Sequence, residues 1–443
     1  MKPAFVQRAR HHHHRSRERG VTMVLVALSM FAVIAMAALS IDLVALYLAR
    51  EEAQRSADAA ALAGARVLSL TGVTGDPDNA QDLLPAPPWP TACALATQVA
   101  QAVANQNSVG STVATSATVS FLYNGTANDC TAPAGGFSLN PQVQVKVVRQ
   151  SLPAFFARMW GQTTNSVSAT AIAEAYNSSN SGLIAPNGIV PVNPRCVKPW
   201  IIPNIDPSGG GALINVNPAG SSSIASPGIR LSFAPPGLVI GEEILLMNRC
   251  GAGPGCGTTP LGAIAANYVP ALIAGNSVAY PSCANGSPFE QAVGGCDVGT
   301  QYACGIQGGG MQADLSASYN ADTVAAAQCL IRWPAQDTLN TSQYPYQIQP
   351  GASNPVSTTG YLSSSTSIVT LPIYDNSQAP GTLTPPSPAV TIVGFLQVFI
   401  NQSFPSGNLD VTVLNIAGCG NGSGPVTNGV GGISPVPIRL ITP

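Results

Sequence analysis

Beyond His14 the chain contains no histidine. That absence removes Ser-His-Asp and Cys-His nucleophile pairs, imidazole general bases and His-ligated zinc from everything that follows. Lysine is nearly missing too. After Lys2 only Lys146 and Lys198 occur, neither in a Ser-x-x-Lys pair nor in a glycine-rich phosphate loop ending in Gly-Lys. Charged residues make up 9% of the chain, and past residue 180 there are only 16 in 263. Such sparse basic charge cannot track a nucleic-acid backbone. No two cysteines stand in C-x-x-C spacing, which argues against a thioredoxin-type site or a zinc ribbon. Glu242 and Glu243 are adjacent in an apparent strand, so their side chains would point to opposite faces rather than cooperate as acid and base. The expectation is a protein without enzymatic activity, cofactor, metal, nucleic-acid partner or small-molecule substrate.

What the chain does have is a long apolar run. Gly20–Ile41 carries no charge, and from Val21 onward it contains neither proline nor glycine. At about 1.5 Å per residue, Val21–Ile41 reaches roughly 30 Å, the hydrocarbon thickness of a bilayer. As a helix it satisfies every backbone group within lipid. Val21, Leu25, Leu28, Phe31, Ile34, Leu39 and Ile41 are the expected anchor residues. Residues 1–20 hold Lys2, Arg8, Arg10, Arg15, Arg17 and Arg19 against Glu18, a balance of +5, whereas Asp42–Arg66 balances at −1. This asymmetry predicts a cytoplasmic N-terminus and an exported bulk, in an inner (cytoplasmic) membrane crossed once. The competing reading is a cleaved export signal, for which Ala35-Met-Ala37 offers a small-x-small site. The apolar run continues past it through Leu39, Ile41, Leu43, Val44, Leu46 and Leu48, which favours retention.

All ten cysteines lie beyond residue 90. An even number confined to the exported part suits disulfides in an oxidising compartment, free buried thiols being the alternative. Cys93 and Cys130 are the expected bridge of the first region, and the pairing of the other eight stays open.

The helix is expected to continue past the membrane. Ala45, Ala49, Ala53, Ala57, Ala61 and Ala65 recur every fourth residue, a smooth ridge against which a partner helix or the chain's own domain can pack closely. Glu51 and Arg55 form a favourable i,i+4 pair on a wetter side. Turn signals stop the helix near Thr71–Pro77. Beyond a proline-rich loop, patterning predicts a helix over Thr91–Gln106, strands at Val113–Tyr123, Gln142–Val148 and Val167–Tyr176, and a short helix over Pro153–Trp160. These elements make an α+β unit over 49–178, ending in a linker at Asn177–Gly182.

The remaining 179–443 reads as β-rich, turn-rich and braced by disulfides. Strands are expected at Gly188–Val192, Gly237–Met247, Ile368–Tyr374, Ala389–Ile400, Leu409–Ile416 and Val436–Ile441, with one helix over Asn320–Ile331. The organisation is therefore a basic tail (1–20), a membrane helix (21–48), an α+β module (49–178) and a β-rich domain (179–443). Two motifs carry no function in this reading. His11–His14 is a solvated part of the tail, and Asp314-Leu-Ser-Ala-Ser318 matches a metal-dependent adhesion motif without the buried strand that motif requires.

Three segments together are distinctive: Arg17-Glu-Arg-Gly20-Val-Thr-Met-Val-Leu-Val-Ala-Leu, then Ile41-Asp42-Leu-Val-Ala-Leu-Tyr47-Leu-Ala-Arg50, then Gln54-Arg-Ser-Ala-Asp58-Ala-Ala-Ala-Leu-Ala-Gly64-Ala. They resemble the N-terminal segment of TadG-like proteins, in the TadE/TadG-like group of the Flp (tight-adherence) pilus system. The resemblance covers about 50 residues and marks Gly20, Asp42, Tyr47, Arg50, Gln54 and Asp58. It implies a bitopic inner-membrane component that works with other pilus-assembly proteins. Pilins of this system carry Glu five residues after the cleaved Gly, whereas this chain has Leu25, so permanent anchoring rather than processing is expected. The alternative function is a membrane-tethered adhesin or envelope structural protein without a pilus partner.

Overall fold

The first helix of the computed structural model is 52 residues long, and its length follows from composition. The structure describes residues 18–70, 89–123, 125–131, 137, 140–161, 163–176, 192–207, 212–216, 222–224, 241–248, 265–273, 277–278, 286–297, 299–300, 302, 311–342, 346–354, 365–375, 388–418, 430–432 and 434–441. Helix α1 (Glu18–Ser69) is rich in alanine and leucine and holds no proline, so nothing breaks it over roughly 78 Å. It is the one helix among the described residues long and apolar enough to cross a membrane. It stops where the Leu70 N–H bonds to the carbonyls of Arg66 and Val67.

The elements that follow are α2 (Trp89–Gln106), β1 (Ser116–Tyr123), β2 (Thr126–Asn128), β3 (Gln142–Pro153), β4 (Thr164–Ala175), β5 (Trp200–Pro203), β6 (Glu243–Asn248), β7 (Ala265–Pro270), α3 (Pro288–Gly294), α4 (Asn320–Ile331), β8 (Ile368–Tyr374), β9 (Ile392–Ser403), β10 (Leu409–Gly418) and β11 (Ile438–Ile441). Several pairs of two- or three-residue strands fill the remainder.

The proximal unit is a five-stranded antiparallel sheet in the order β11-β4-β3-β1-β2, with α1 and α2 packed on it. Alternate residues of β3 (Val143, Val145, Val147) and β4 (Ala169, Ala171, Ala173, Ala175) share one buried cluster with both helices. The β4 side of that surface is all alanine, which lets α1 sit close to the sheet. A disulfide between Cys93 of α2 and Cys130, just past β2, ties helix to sheet edge.

The distal part closes into a six-stranded barrel in the order β6-β7-β5-β8-β9-β10, with β10 paired back to β6. Its pairing is mixed: β6–β7 and β5–β8 are parallel, the other four antiparallel. Closure removes the open edges that such apolar strands would expose. Alternate residues Val369, Leu371 and Ile373 of β8 lie opposite Val398, Leu396 and Gly394 of β9, and Val411 of β10 opposite Ile244 of β6. Helix α4 packs on β9, and its Thr323 hydroxyl meets the Trp200 indole N–H at 3.4 Å and the Tyr268 hydroxyl at 3.5 Å. A second disulfide joins Cys196 to Cys296, and Cys329 is also disulfide-bonded.

The two parts are joined by more than the chain between them. Strand β11 runs antiparallel to β4, pairing Ile438 with Ala175 and Ile441 with Ile172. Arg439 forms an ion pair with the buried Glu174 and lies over the Tyr176 ring at 4.8 Å. The Asn415 side-chain amide of β10 donates to the Ser69 carbonyl at the end of α1, 2.8 Å away.

Several expectations are adjusted by these observations. The helix expected over Pro153–Trp160 is a single 3-10 turn, Ala157–Trp160, because Leu152 and Pro153 still pair with Asn165 and Thr164 in the sheet. The strand expected at Val113–Tyr123 is split: Thr112–Val113 turns back on Ser108–Val109 before β1 begins. The run Ala389–Ile400 breaks at Thr391, since Ala389–Val390 pairs with Met311–Gln312 while β9 joins the barrel. The stop at Thr71–Pro77, the linker Asn177–Gly182, the His11–His14 run and most of Gly188–Val192 lie outside the described residues. So do Cys250, Cys256, Cys283, Cys304 and Cys419.

Candidate anchoring and packing site

Helix α1 changes character along its length. Val21, Leu25, Leu28, Phe31, Ile34, Leu39 and Ile41 all stand exposed, as do Leu43, Val44, Tyr47 and Leu48. Every residue from Val21 to Ile34 is exposed, and large apolar side chains stay bare on the open face up to Leu48, far beyond what a water-exposed helix carries. The two serines in this stretch turn their hydroxyls inward: Ser29 donates to the Val26 carbonyl at 2.9 Å and Ser40 to that of Ala37 at 2.7 Å. Neither leaves a donor that needs water.

One face is covered from Ala38 and Asp42 upward, and from Ala49 it is buried in the proximal core. Ala49, Ala53, Ala57, Ala61 and Ala65 are buried in the proximal core, and Ala45 is half-buried at its lower end. Of the two occupants the alanine ridge allows, the structure places the chain's own module there: α2, β3 and β4 lie against α1. Gly64 shows how tight the fit is. A Cβ there would stand 3.0 Å from Val143 Cγ1, 3.4 Å from Ala100 Cβ and 3.5 Å from the Ala96 carbonyl oxygen.

The other marked residues fall into two groups. Asp42 and Gln54 hold the module to the helix, and Asp58 accepts from Gln54 within α1. Both carboxylate oxygens of Asp42 accept backbone N–H groups from one turn: Phe155 at 3.0 Å, Phe156 at 3.0 Å and Ala157 at 2.6 Å. This is an anion at the start of a helical turn, where unpaired N–H groups converge. Gln54 donates to Asp58 at 2.8 Å and to the Thr170 carbonyl of β4 at 3.3 Å. Glu52, which sequence reasoning did not single out, accepts the Gly110 N–H at 2.7 Å. Tyr47 and Arg50, by contrast, face outward. Gly20 is exposed with nothing within 4 Å of an added Cβ, so nothing in the structure requires glycine there.

The remaining charged groups of the interior serve local structure. Asp314 accepts from the Ser316 backbone at 2.9 Å and hydroxyl at 2.5 Å, and from the Tyr319 hydroxyl at 2.7 Å. Burial disfavours its charge, but these bonds outweigh burial and hold the carboxyl below its usual range. Its oxygens are thus taken by its own turn. Asp337 is held in the same way by Gly351, Asn354 and Ser365. Asp410 of β10 has its carboxyl raised by burial and by the nearby Glu243, opposed by an amide bond from Asn401. Lys198 donates to the Gly295 carbonyl at 2.8 Å, and burial pushes its ammonium down to about 7. Among the described residues no group of three or more His, Cys, Asp or Glu gathers to hold a metal ion.

No curated protein and no solved structure matches the chain. A family model does match, and it falls on the helix that combines the bare stretch, the Asp42 clamp and the buried alanine ridge. Residues 20–67 match the Tad family, described as Putative Flp pilus-assembly TadE/G-like, and over that segment the chain is similar to TadE/G-like proteins.

Proposed function

We propose that the protein is a non-enzymatic, membrane-anchored scaffold of Flp/Tad pilus assembly. In this reading α1 crosses the cytoplasmic membrane once, with residues 1–20 inside and both folded parts outside. The family match over 20–67 supports involvement in pilus assembly. The observation that carries the anchoring role is the switch within one unbroken helix, bare on all sides from Val21 to Ile34, covered on one face from Ala38 and buried in the proximal core from Ala49. A rigid rod clamped to a sheet transmits the position of the membrane to whatever binds the outer domains. Tyr47 and Arg50, exposed at the upper end of the bare face, are the marked residues open to other pilus-assembly proteins.

Deletion of the gene, scored by pilus formation and surface attachment, tests this reading. Loss of pili with restoration by the full chain is the expected result. Normal pili with lost attachment would instead establish a tethered adhesin. Protease added to spheroplasts should digest the region beyond Tyr47, and protection of that region would overturn the orientation.

A further inference from the structure

The turn that Asp42 holds is also the most conspicuous apolar point of the proximal unit away from α1 itself. Phe155 is 59% exposed and Phe156 38%, although they are neighbours in a turn whose backbone N–H groups are bonded to α1. Two adjacent aromatic rings left in water at a site so firmly tied down need a cover. Arg158, also exposed, lies on the same turn.

The height of this turn along α1 suggests what the cover is. The turn packs against α1, where Ala38 and Asp42 are buried while Leu39, Ile41, Leu43 and Val44 stay exposed. Counted from Gly20, Ala38 and Asp42 stand about 27 and 33 Å along the helix at 1.5 Å per residue. A hydrocarbon layer of about 30 Å that begins at Gly20, beside the Arg19 charge, ends between them. The two rings therefore lie beside the helix at the level where acyl chains give way to headgroups. Tyr47, about 7 Å higher at the same rise per residue, is placed for the aromatic belt of that boundary.

We propose that Phe155, Phe156 and Arg158 form an interfacial foot that rests in the bilayer leaflet on the side of the folded units. The rings enter the acyl boundary and the guanidinium meets lipid phosphate. Asp42 is a positioning residue for this foot. Its carboxylate and the three N–H groups it accepts satisfy one another, so neither side of the clamp brings an unpaired polar group to the lipid edge. The foot and the spanning helix together fix the module's height and tilt by two points rather than one. This inference rests on the anchoring of α1 in a membrane.

The test uses the full chain reconstituted in phosphatidylethanolamine–phosphatidylglycerol vesicles. A benzophenone-bearing phenylalanine analogue replaces Phe155 in one sample and Leu28 in another, and photoadducts are identified by mass spectrometry. An intact Cys93–Cys130 disulfide on a non-reducing gel verifies the fold of each sample. Lipid adducts at both positions are expected, with loss of the adduct at 155 when Asp42→Leu releases the turn. Lipid at 28 but none at 155 would overturn the foot and leave the anchor standing. An adduct from 155 to a second copy of the chain would likewise overturn it, the rings then being covered by protein. Absence of lipid at both positions would overturn the membrane anchor and the foot with it.

Discussion

Leucine placed at both Ala53 and Ala57 should destabilise the proximal unit itself rather than merely loosen a partner. Both alanines are fully buried, 0% exposed, where α1 meets the sheet and α2. Each substitution adds three carbons to a surface whose spacing is shown by Gly64, where even one added carbon would stand 3.0 Å from Val143. Overpacking of this kind costs about 1–3 kcal/mol per site. The two sites share neighbours, so strict additivity is not expected, and the pair should cost roughly 2–6 kcal/mol. Against a total stability of about 5–15 kcal/mol that is a large fraction. At about 2–4 °C per kcal/mol, the melting temperature should fall by roughly 5–20 °C. The assay is thermal unfolding followed by near-ultraviolet circular dichroism in detergent micelles, with Ala45→Leu as the control. Ala45 is only half-buried, so its substitution should cost much less. Membrane fractionation of the double variant should be unchanged, because the bare stretch is untouched. An unaltered melting temperature would refute the docking of α1 on its own module.

Three further outcomes follow from the same contacts. Replacing Cys93 and Cys130 by serine opens a loop of 37 residues, which the chain-entropy model values at about 4 kcal/mol; an unchanged urea midpoint for the proximal unit would contradict that bridge. Lys198 binds its proton more weakly in the folded state, about 7 against 10.5, so the unfolded state holds more protons between those values and stability should rise with pH there. The slope is on the order of 1 kcal/mol per pH unit, the full cost of burying the charge being present below about pH 7. Lys198→Met should flatten this slope in pH-dependent denaturation, and an identical slope in the variant would sink the assignment. Asp42→Leu should speed amide exchange at Phe155, Phe156 and Ala157 without changing exchange in the Ala49–Ala65 part of α1; equal protection in both proteins would show that the clamp is not what holds the turn.

Local pattern made much of the architecture legible. The apolar run, the alanine ridge, α4 at Asn320–Ile331 and β8 at Ile368–Tyr374 can be read from spacing and propensity because each is specified by its own residues. What could not be read depends on distant partners. Val192–Pro194, β5 and β6 carry no signal that says which neighbour they pair with, so neither the parallel pairs nor barrel closure was visible. The role of Asp42 was hidden for the same reason. The motif marked it as distinctive, but its N–H partners lie 113 to 115 residues away. The 3-10 turn at Ala157–Trp160 looked like a helix because Pro153 often opens one. Here the proline instead remains paired in the sheet, and Gly161, at φ 87°, ends the turn after four residues.

The pairing of β11 with β4 also sets an order in time. Ile438 leaves the ribosome about 260 residues after Ala175, its neighbour in the sheet, which at roughly 5–20 residues per second means a delay of about 15–50 s. Throughout that interval one margin of the proximal sheet waits with open hydrogen-bonding groups. A nascent copy emerging beside another therefore has a window in which strand exchange between neighbours competes with self-completion, and the rate of elongation governs which one prevails.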